Sequence, residues 1–322
     1  MSNPWLTSNH HSAFVSLSTH SAYVRISGPP RSSSTQPIVI IEAGAGDCSS
    51  ALVALTREVA QVARVLTYDR AGIGKSSAAV APPNAQNRTL QLQELLHQLC
   101  IEPPYVLVGH SLGGLLLPHY ISVFPKGDIQ GVVFIDSPCT SARKARMLTV
   151  PLLGGIDPGS PEGEREYGRI VGLDKFKHVL SDAERAEIAA DREGAVGVRD
   201  ELQSAMEIGQ GAEQVSVGLH EQHFLAGRKV SVLWGGILED FNRVLQHAEM
   251  LHHGTDDERK KMKEFLADWE ATESIKQKER LNLTTAGHGR LVVMPQDATH
   301  EIQLTRPDFI AKEIRWVLGL ES

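Results

Sequence analysis

The stretch Pro104-Tyr105-Val106-Leu107-Val108-Gly109-His110-Ser111-Leu112-Gly113-Gly114 decides the fold. Residues 105–108 are a short apolar run of the kind that makes a strand covered on both faces. Residues 112–124 read as a helix, so the chain passes from strand to helix within a few residues. The turn between them is an elbow of the form G-x-S-x-G, and that strand–turn–helix context makes the pattern specific. A turn this sharp forces the serine into a strained backbone and lifts its hydroxyl clear of the sheet. The positions two before and two after the serine must be small, because strand and helix crowd there, and Gly109 and Gly113 meet the requirement. The helix N-terminus beneath Ser111 also favours developing negative charge.

Working outward, the same unit recurs. Residues 37–42 (PIVIIE) form an apolar run ending in Ala43-Gly44-Ala45-Gly46-Asp47. A helix is expected over 50–63, with Leu52, Leu55, Val59 and Val62 at helical spacing. Residues 64–68 (RVLTY) read as a strand ending in Asp69-Arg70-Ala71-Gly72-Ile73-Gly74, and 89–100 as an amphipathic helix with Leu92, Leu95, Leu96 and Leu99 inward. Beyond the elbow helix, 131–135 is another apolar strand. Strands and helices alternating at this spacing imply βαβ units and a parallel sheet. Before them, Ala13, Val15 and Leu17, then Ala22, Val24 and Ile26, alternate as in a β-hairpin.

After residue 138 the alternation breaks. Residues 138–227 are helical and polar, and Ser181-Asp182-Ala183-Glu184 has the form of a capping box. The sheet resumes at 229–234 (KVSVLW), a second helical insertion spans 238–283, and 290–294 (RLVVM) is the last strand. Pro307 opens a final helix with Phe309, Ile310, Ile314, Val317 and Leu318 on its apolar side. The expected division is a core of residues 1–138 and 229–322 and a helical cap of 139–228.

A serine hydroxyl needs a base to take its proton. Of 14 histidines, only His300 follows the last strand by a short loop and precedes the final helix, the place such a base occupies. His110, inside the elbow, is read as a packing or hydrogen-bonding residue, and the histidines of the insertions as surface or wall residues. An oxyanion needs backbone N–H donors, one from Leu112, next to the serine, and one from the turn after residues 37–42, where Ala45 is the choice. Two places suit an acid. Asp136 follows the strand 131–135, while Glu239 and Asp240 follow 229–234 and can equally serve as the acidic first turn of a helix.

Here the chain resembles the α/β-hydrolase superfamily over nearly its whole length. The likeness rests on Ala43 to Gly46, Tyr68-Asp69-Arg70-Ala71-Gly72-Ile73-Gly74-Lys75-Ser76, the elbow stretch, Val133-Phe134-Ile135-Asp136-Ser137 and Ala298-Thr299-His300. It looks like the branch that reads YDRAGxGxS and VLVGHSxGG. The resemblance implies a mostly parallel sheet of about eight strands flanked by helices, a Ser-His-acid triad and no cofactor. It implies Asp136, after the sixth strand, as the acid. Two departures bear on the site. Ala43-Gly44 stands where the branch has His-Gly, which keeps a backbone donor and changes the pocket wall. A long helical insertion replaces a plain G-x-x-D after the seventh strand, which favours Asp136 over Glu239 and Asp240.

Composition narrows the class. The 322 residues are 41% hydrophobic and 22% charged, enough for a packed core. A net charge of -7 and the absence of a basic stripe interleaved with aromatics argue against a nucleic-acid partner. The cluster Arg259-Lys260-Lys261-Met262-Lys263 lies among acids and reads as a solvated helix face. Three scattered cysteines, Cys48, Cys100 and Cys139, offer neither a disulfide framework nor a metal site. No secretory signal and no membrane-length apolar run is evident, so a cytoplasmic setting without membrane insertion is expected. The expected activity is hydrolysis of a carboxylic ester, lactone or thioester on Ser111, with a bulky apolar small molecule as substrate. A triad-based lyase, a carbon–carbon bond hydrolase and a non-catalytic ligand receptor are the alternatives. Ser111 at the elbow counts against relatives that use a carboxylate nucleophile.

Overall fold

Strands β1 (His10–Ser16) and β2 (Ser21–Ser27) form the antiparallel hairpin that the alternation at residues 13–26 predicts. The computed structural model describes residues 3–138, 142–156 and 160–321. Cys139 and the first residues of the expected cap lie outside the described residues. Six further strands follow: β3 (Ile38–Glu42), β4 (Arg64–Tyr68), β5 (Tyr105–His110), β6 (Ile129–Ile135), β7 (Lys229–Trp234) and β8 (Gly289–Val293). They make one sheet in the order β1-β2-β4-β3-β5-β6-β7-β8. The β2–β4 pairing is antiparallel, and every pairing from β4 to β8 is parallel. This is the mostly parallel eight-stranded sheet of an α/β-hydrolase fold.

The apolar runs are explained by two cores, one on each face. Ile38, Ile40, Leu107, Val132, Phe134, Val230 and Val232 point into one, and Val39, Ile41, Val106, Val108, Val133, Ile135 and Leu233 into the other. Successive strand residues face opposite ways, so strands covered on both sides lose the polar alternation of a half-exposed sheet.

Twelve helices accompany the strands among the described residues. They are α1 (Pro4–Thr7), α2 (Val53–Val59), α3 (Ala85–Leu99), α4 (Leu112–Val123), α5 (Ala142–Leu152), α6 (Pro161–Val171), α7 (Asp182–Gly194), α8 (Val198–Glu221), α9 (Gly236–Leu251), α10 (Asp256–Glu279), α11 (Ile302–Thr305) and α12 (Pro307–Val317). Residues of α3, α4 and the later part of α8, among them Leu92, Leu116, Tyr120, Ile208 and Leu219, fill the first core. Leu55 and Val59 of α2 and Ile310, Ile314 and Val317 of α12 fill the second.

Three helix boundaries differ from expectation. The helix expected over 50–63 is a 3-10 turn, Ser49–Leu52, followed by α2, which stops at Val59. Val62, expected inward, is exposed because residues 60–63 already turn back toward β4. Helix α3 starts at Ala85 rather than 89, since the Asn84 side chain accepts the Asn87 N–H and caps it earlier. The capping box at Ser181 forms with both of its hydrogen bonds. A second one, Thr255 with Glu258, opens α10.

The two helical insertions pack on each other. Leu152 of α5, Val171 of α6, Phe241 and Leu245 of α9, and Leu266 and Trp269 of α10 share a third apolar cluster, separate from the sheet cores. Helix α7 instead meets the 3-10 turn at Ser49–Leu52, where Ile188 packs with Cys48, Ala51 and Ile73.

Candidate active site

Strand register brings the site residues to one edge. Glu42 pairs with Gly109, His110 with Ile135, and Ile135 with Leu233, so β3, β5, β6 and β7 end together. The loops leaving these strands therefore converge at the carboxyl edge, where open parallel sheets bind ligands. Ser111 is held there with φ 51° and ψ −118°, a conformation in which non-glycine residues store strain. Its N–H donates to Ile135 O at 2.9 Å, and Ser137 Oγ–H donates to Ser111 O at 2.6 Å. The crowding that requires small residues is measurable. A Cβ on Gly109 would lie 2.6 Å from the Gly113 backbone, and one on Gly113 would lie 2.3 Å from Glu42 O.

Ser111, His300 and Asp136 form a line. His300 Nε2 is 3.0 Å from Ser111 Oγ, and His300 Nδ1 is 2.7 Å from Asp136 Oδ2. Asp136 is 2% exposed and, like Ser111, has a positive φ of 41°. Its carboxylate accepts three more hydrogen bonds: Gly235 and Gly236 N–H reach Oδ1, each at 3.1 Å, and Ile237 N–H reaches Oδ2 at 2.7 Å. These are amides at the N-terminus of α9, which stabilise an anion by their free N–H groups and by the helix dipole. With both Asp136 oxygens already accepting amide N–H groups, His300 donates from Nδ1, and its Nε2 lone pair faces Ser111. Burial works against a charged His300 ring. The hydrogen bond and charge of Asp136 outweigh it and hold the pKa above the ordinary histidine value.

Of the two alternative acids, Asp240 touches His300 but not its ring. Asp240 Oδ2 accepts the His300 backbone N–H at 2.8 Å, and Oδ1 accepts from Arg243 at 2.8 Å. Burial pushes the Asp240 carboxyl up to about 7. Glu239 lies in the acidic first turn of α9. His110, inside the elbow, hydrogen-bonds to backbone: its Nε2–H donates to His300 O at 2.8 Å. Burial, and next the neighbouring His300, pulls the His110 pKa down to about 4, so no second positive charge stands beside His300 near neutrality.

The turn after β3 meets the elbow closely: a Cβ on Gly44 would lie 3.4 Å from Ser111 Cβ. Asp47 N–H donates to Gly44 O at 3.1 Å, closing a β-turn, and Gly46 has φ +72° at the third position, which a type II turn reserves for glycine. Among the described residues neither the Ala45 nor the Leu112 N–H has an acceptor.

Sequence reasoning misses what holds this turn. The Arg70 guanidinium donates to Glu42 Oε1 and Ala43 O, each at 2.8 Å, and to Gly44 O at 2.5 Å. Its other face pairs with both oxygens of Glu201 of α8, at 2.7 and 2.8 Å. Glu201 also accepts from Arg88 at 2.9 Å and from Gly46 N–H at 2.7 Å. The Tyr68 and Tyr120 hydroxyls donate to the remaining Glu42 oxygen. Arg70 stands in the YDRAG stretch, which is its only signal, and Glu201 has none. Farther out, Arg192 of α7 bridges Asp47, at 2.9 Å, and Glu301, at 3.2 Å. The described residues contain no cluster of three or more His, Cys, Asp or Glu that could hold a metal ion, and no helix long and apolar enough to cross a membrane.

Comparison with known proteins agrees with this architecture. The profile of the alpha/beta hydrolase family matches residues 38–313. An AB hydrolase superfamily protein of Gibberella zeae is 25% identical, with 99% of each chain aligned. Among solved structures, esterase RhEst1 from Rhodococcus sp. ECU1013 superposes with a TM-score of 0.59 at 17% identity, covering 98% of this chain and all of that one. The enol-lactonase from Burkholderia xenovorans LB400 does so with a TM-score of 0.60 at 16% identity, covering 95% of this chain and all of that one.

Proposed function

The chain belongs to the alpha/beta hydrolase family, and from that premise we propose that it is a serine hydrolase that cleaves a carboxylic ester, lactone or thioester through an acyl-enzyme on Ser111. The observation that carries this reading is the line of contacts from Ser111 Oγ to His300 Nε2, 3.0 Å, and from His300 Nδ1 to Asp136, 2.7 Å. His300 takes the Ser111 proton as Oγ bonds to the carbonyl carbon. Leu112 and Ala45 N–H groups receive the oxyanion, and Asp136 stabilises the imidazolium. The imidazolium returns its proton to the leaving oxygen or sulfur as that bond breaks. Water then adds to the acyl group with His300 as base, and the acid leaves with Ser111 restored. Apart from substrate and water, no group outside the chain enters this balance.

We assign the helical cap of 139–228 to this site, since Glu201 and Arg192 from that span contact the turn after β3. Its α5 and α6 share their apolar cluster with α9 and α10, so the second insertion supports the same layer. We propose a bulky apolar small molecule as substrate, since both insertions bring apolar residues to this layer; the cleft beside Asp136, walled by Pro138, Trp234, Ile237, Leu238, Trp269, Glu273 and Gln277, has room for only about one water molecule.

A panel of p-nitrophenyl esters, thioesters and lactones tests the reading. Ser111→Ala should fold as the wild type does and lose roughly 10⁴-fold or more in kcat on whichever substrate is hydrolysed. Turnover by that variant within about tenfold of wild type overturns the mechanism.

A further inference from the structure

The amide of Ala45 points where its two flanking peptide units allow. Gly44 C=O and Ala45 N–H belong to one trans peptide plane, so fixing the carbonyl on one side fixes the N–H on the other. Arg70 holds that carbonyl at 2.5 Å. Ala45 C=O and Gly46 N–H belong to the next plane, and Glu201 holds that N–H at 2.7 Å. Glu201 also grips Arg70 through both carboxylate oxygens. One side chain thus bears on both planes that set the Ala45 amide, beside Glu42 on Arg70 and the Asp47 N–H on Gly44 O, and it comes from the first turn of α8, 155 residues away along the chain. Glu201 is fully buried, and Arg70 and Arg88 balance its charge together with that of Glu42.

From this geometry we infer that Glu201 is a positioning residue for the oxyanion donor: acting through Arg70 and Gly46, it aims the Ala45 N–H and ties that aim to the seating of α8. The role deepens the serine-hydrolase reading and rests on it. Arg70 polarises the Gly44–Ala45 peptide as well as orienting it, because a cation on the carbonyl strengthens the N–H of the same unit as a donor. A donor aimed at the tetrahedral oxygen acts chiefly in the transition state, so its misalignment appears in kcat rather than in KM. The clamp also answers why a buried carboxylate stands on a helix of an insertion: an apolar residue there leaves Arg70 half-paired and Gly46 N–H without an acceptor.

The test compares Glu201→Gln and Glu201→Asp with Arg88→Met. Arg88 pairs with Glu201 and donates to Ala71 O, but it does not touch the turn, so its variant reports the structural cost of opening the buried network alone. Glu201→Asp keeps the charge but withdraws the carboxylate from Gly46 and Arg70 alike, which guards against a Gln variant that fails to fold. On an ester whose hydrolysis requires Ser111, both Glu201 variants should lose about 10- to 100-fold in kcat with KM changed less than about threefold. A trifluoromethyl ketone, whose adduct oxygen occupies the oxyanion position, should weaken in parallel with kcat. Arg88→Met should lower Tm and cost less in kcat than either Glu201 variant. Glu201 variants that are folded and retain wild-type kcat overturn the inference, and so does an Arg88→Met loss as large as theirs. If Ser111→Ala retains activity, the serine-hydrolase reading fails first and takes the inference with it.

Discussion

At the carboxyl edge of the sheet, Ser111 and Asp136 each come one residue after a strand, and both are held in strained, positive-φ backbone. In the helical insertions, Glu201 and Asp240 sit on α8 and α9 and reach the same site from outside the sheet. In the proposed mechanism the edge residues present side chains to the reaction. The insertion residues hold backbone: Glu201 the turn after β3, Asp240 the N–H of His300. Their spans are also built differently. The edge is fixed by parallel register, whereas α5, α6, α9 and α10 depend on a cluster of their own. A sheet edge can therefore set which atoms meet, while the insertions set how accurately they are aimed.

If that contrast holds, Asp136→Asn should be far more damaging than any change on the insertions. Its Oδ1 would stay on the Gly235 and Gly236 amides, leaving the new NH2 group facing the Ile237 N–H and His300 Nδ1. His300 would have to accept at Nδ1 and carry its proton at Nε2, the tautomer that cannot take the Ser111 proton. A loss in kcat of about 10⁴-fold is expected. The pH profile sharpens the case. His300 must be neutral to act, and Asp136 holds its pKa above the ordinary value, so kcat/KM should rise with pH through a point above that of an ordinary histidine. Asp136→Asn removes the charge that favours imidazolium, so the remaining activity should rise at lower pH. A limb that stays in place or moves up contradicts the assignment.

Asp240→Asn probes the other side of the comparison and should be mild, about three- to tenfold in kcat, because a backbone contact and not the ring is affected. Asp240 carries a pKa of about 7, so its ionisation overlaps that of His300 and should broaden the wild-type rising limb. The variant should narrow it. A loss as large as that of Asp136→Asn would make Asp240 the principal acid and collapse the distinction between edge and insertion.

The same contrast explains what is legible in the sequence. Strands β3 to β7 announce themselves because both faces are covered, and the elbow because Gly109 and Gly113 have no room for a Cβ. His300 is legible by place, on a short loop after the last strand. The clamp is not. Glu201 is one acid among 39 acidic residues, and nothing local separates a fully buried carboxylate on an amphipathic helix from a solvated one. Gly235-Gly236 reads only as a turn, although a glycine pair opening a helix beyond a strand end is well shaped to cradle a carboxylate. The early end of α2 is hidden because Val62 keeps helical spacing after the helix has stopped.

The most direct measurement traps the covalent intermediate. A p-nitrophenyl carbamate acylates like an ester and deacylates slowly, so an acid-quenched intact-mass spectrum taken during turnover should show one carbamoyl group per chain. Peptide mapping should place it on Ser111, with release of one equivalent of p-nitrophenol in the burst. A burst without an adduct on Ser111, or an adduct on any other residue at the same rate, would contradict the account.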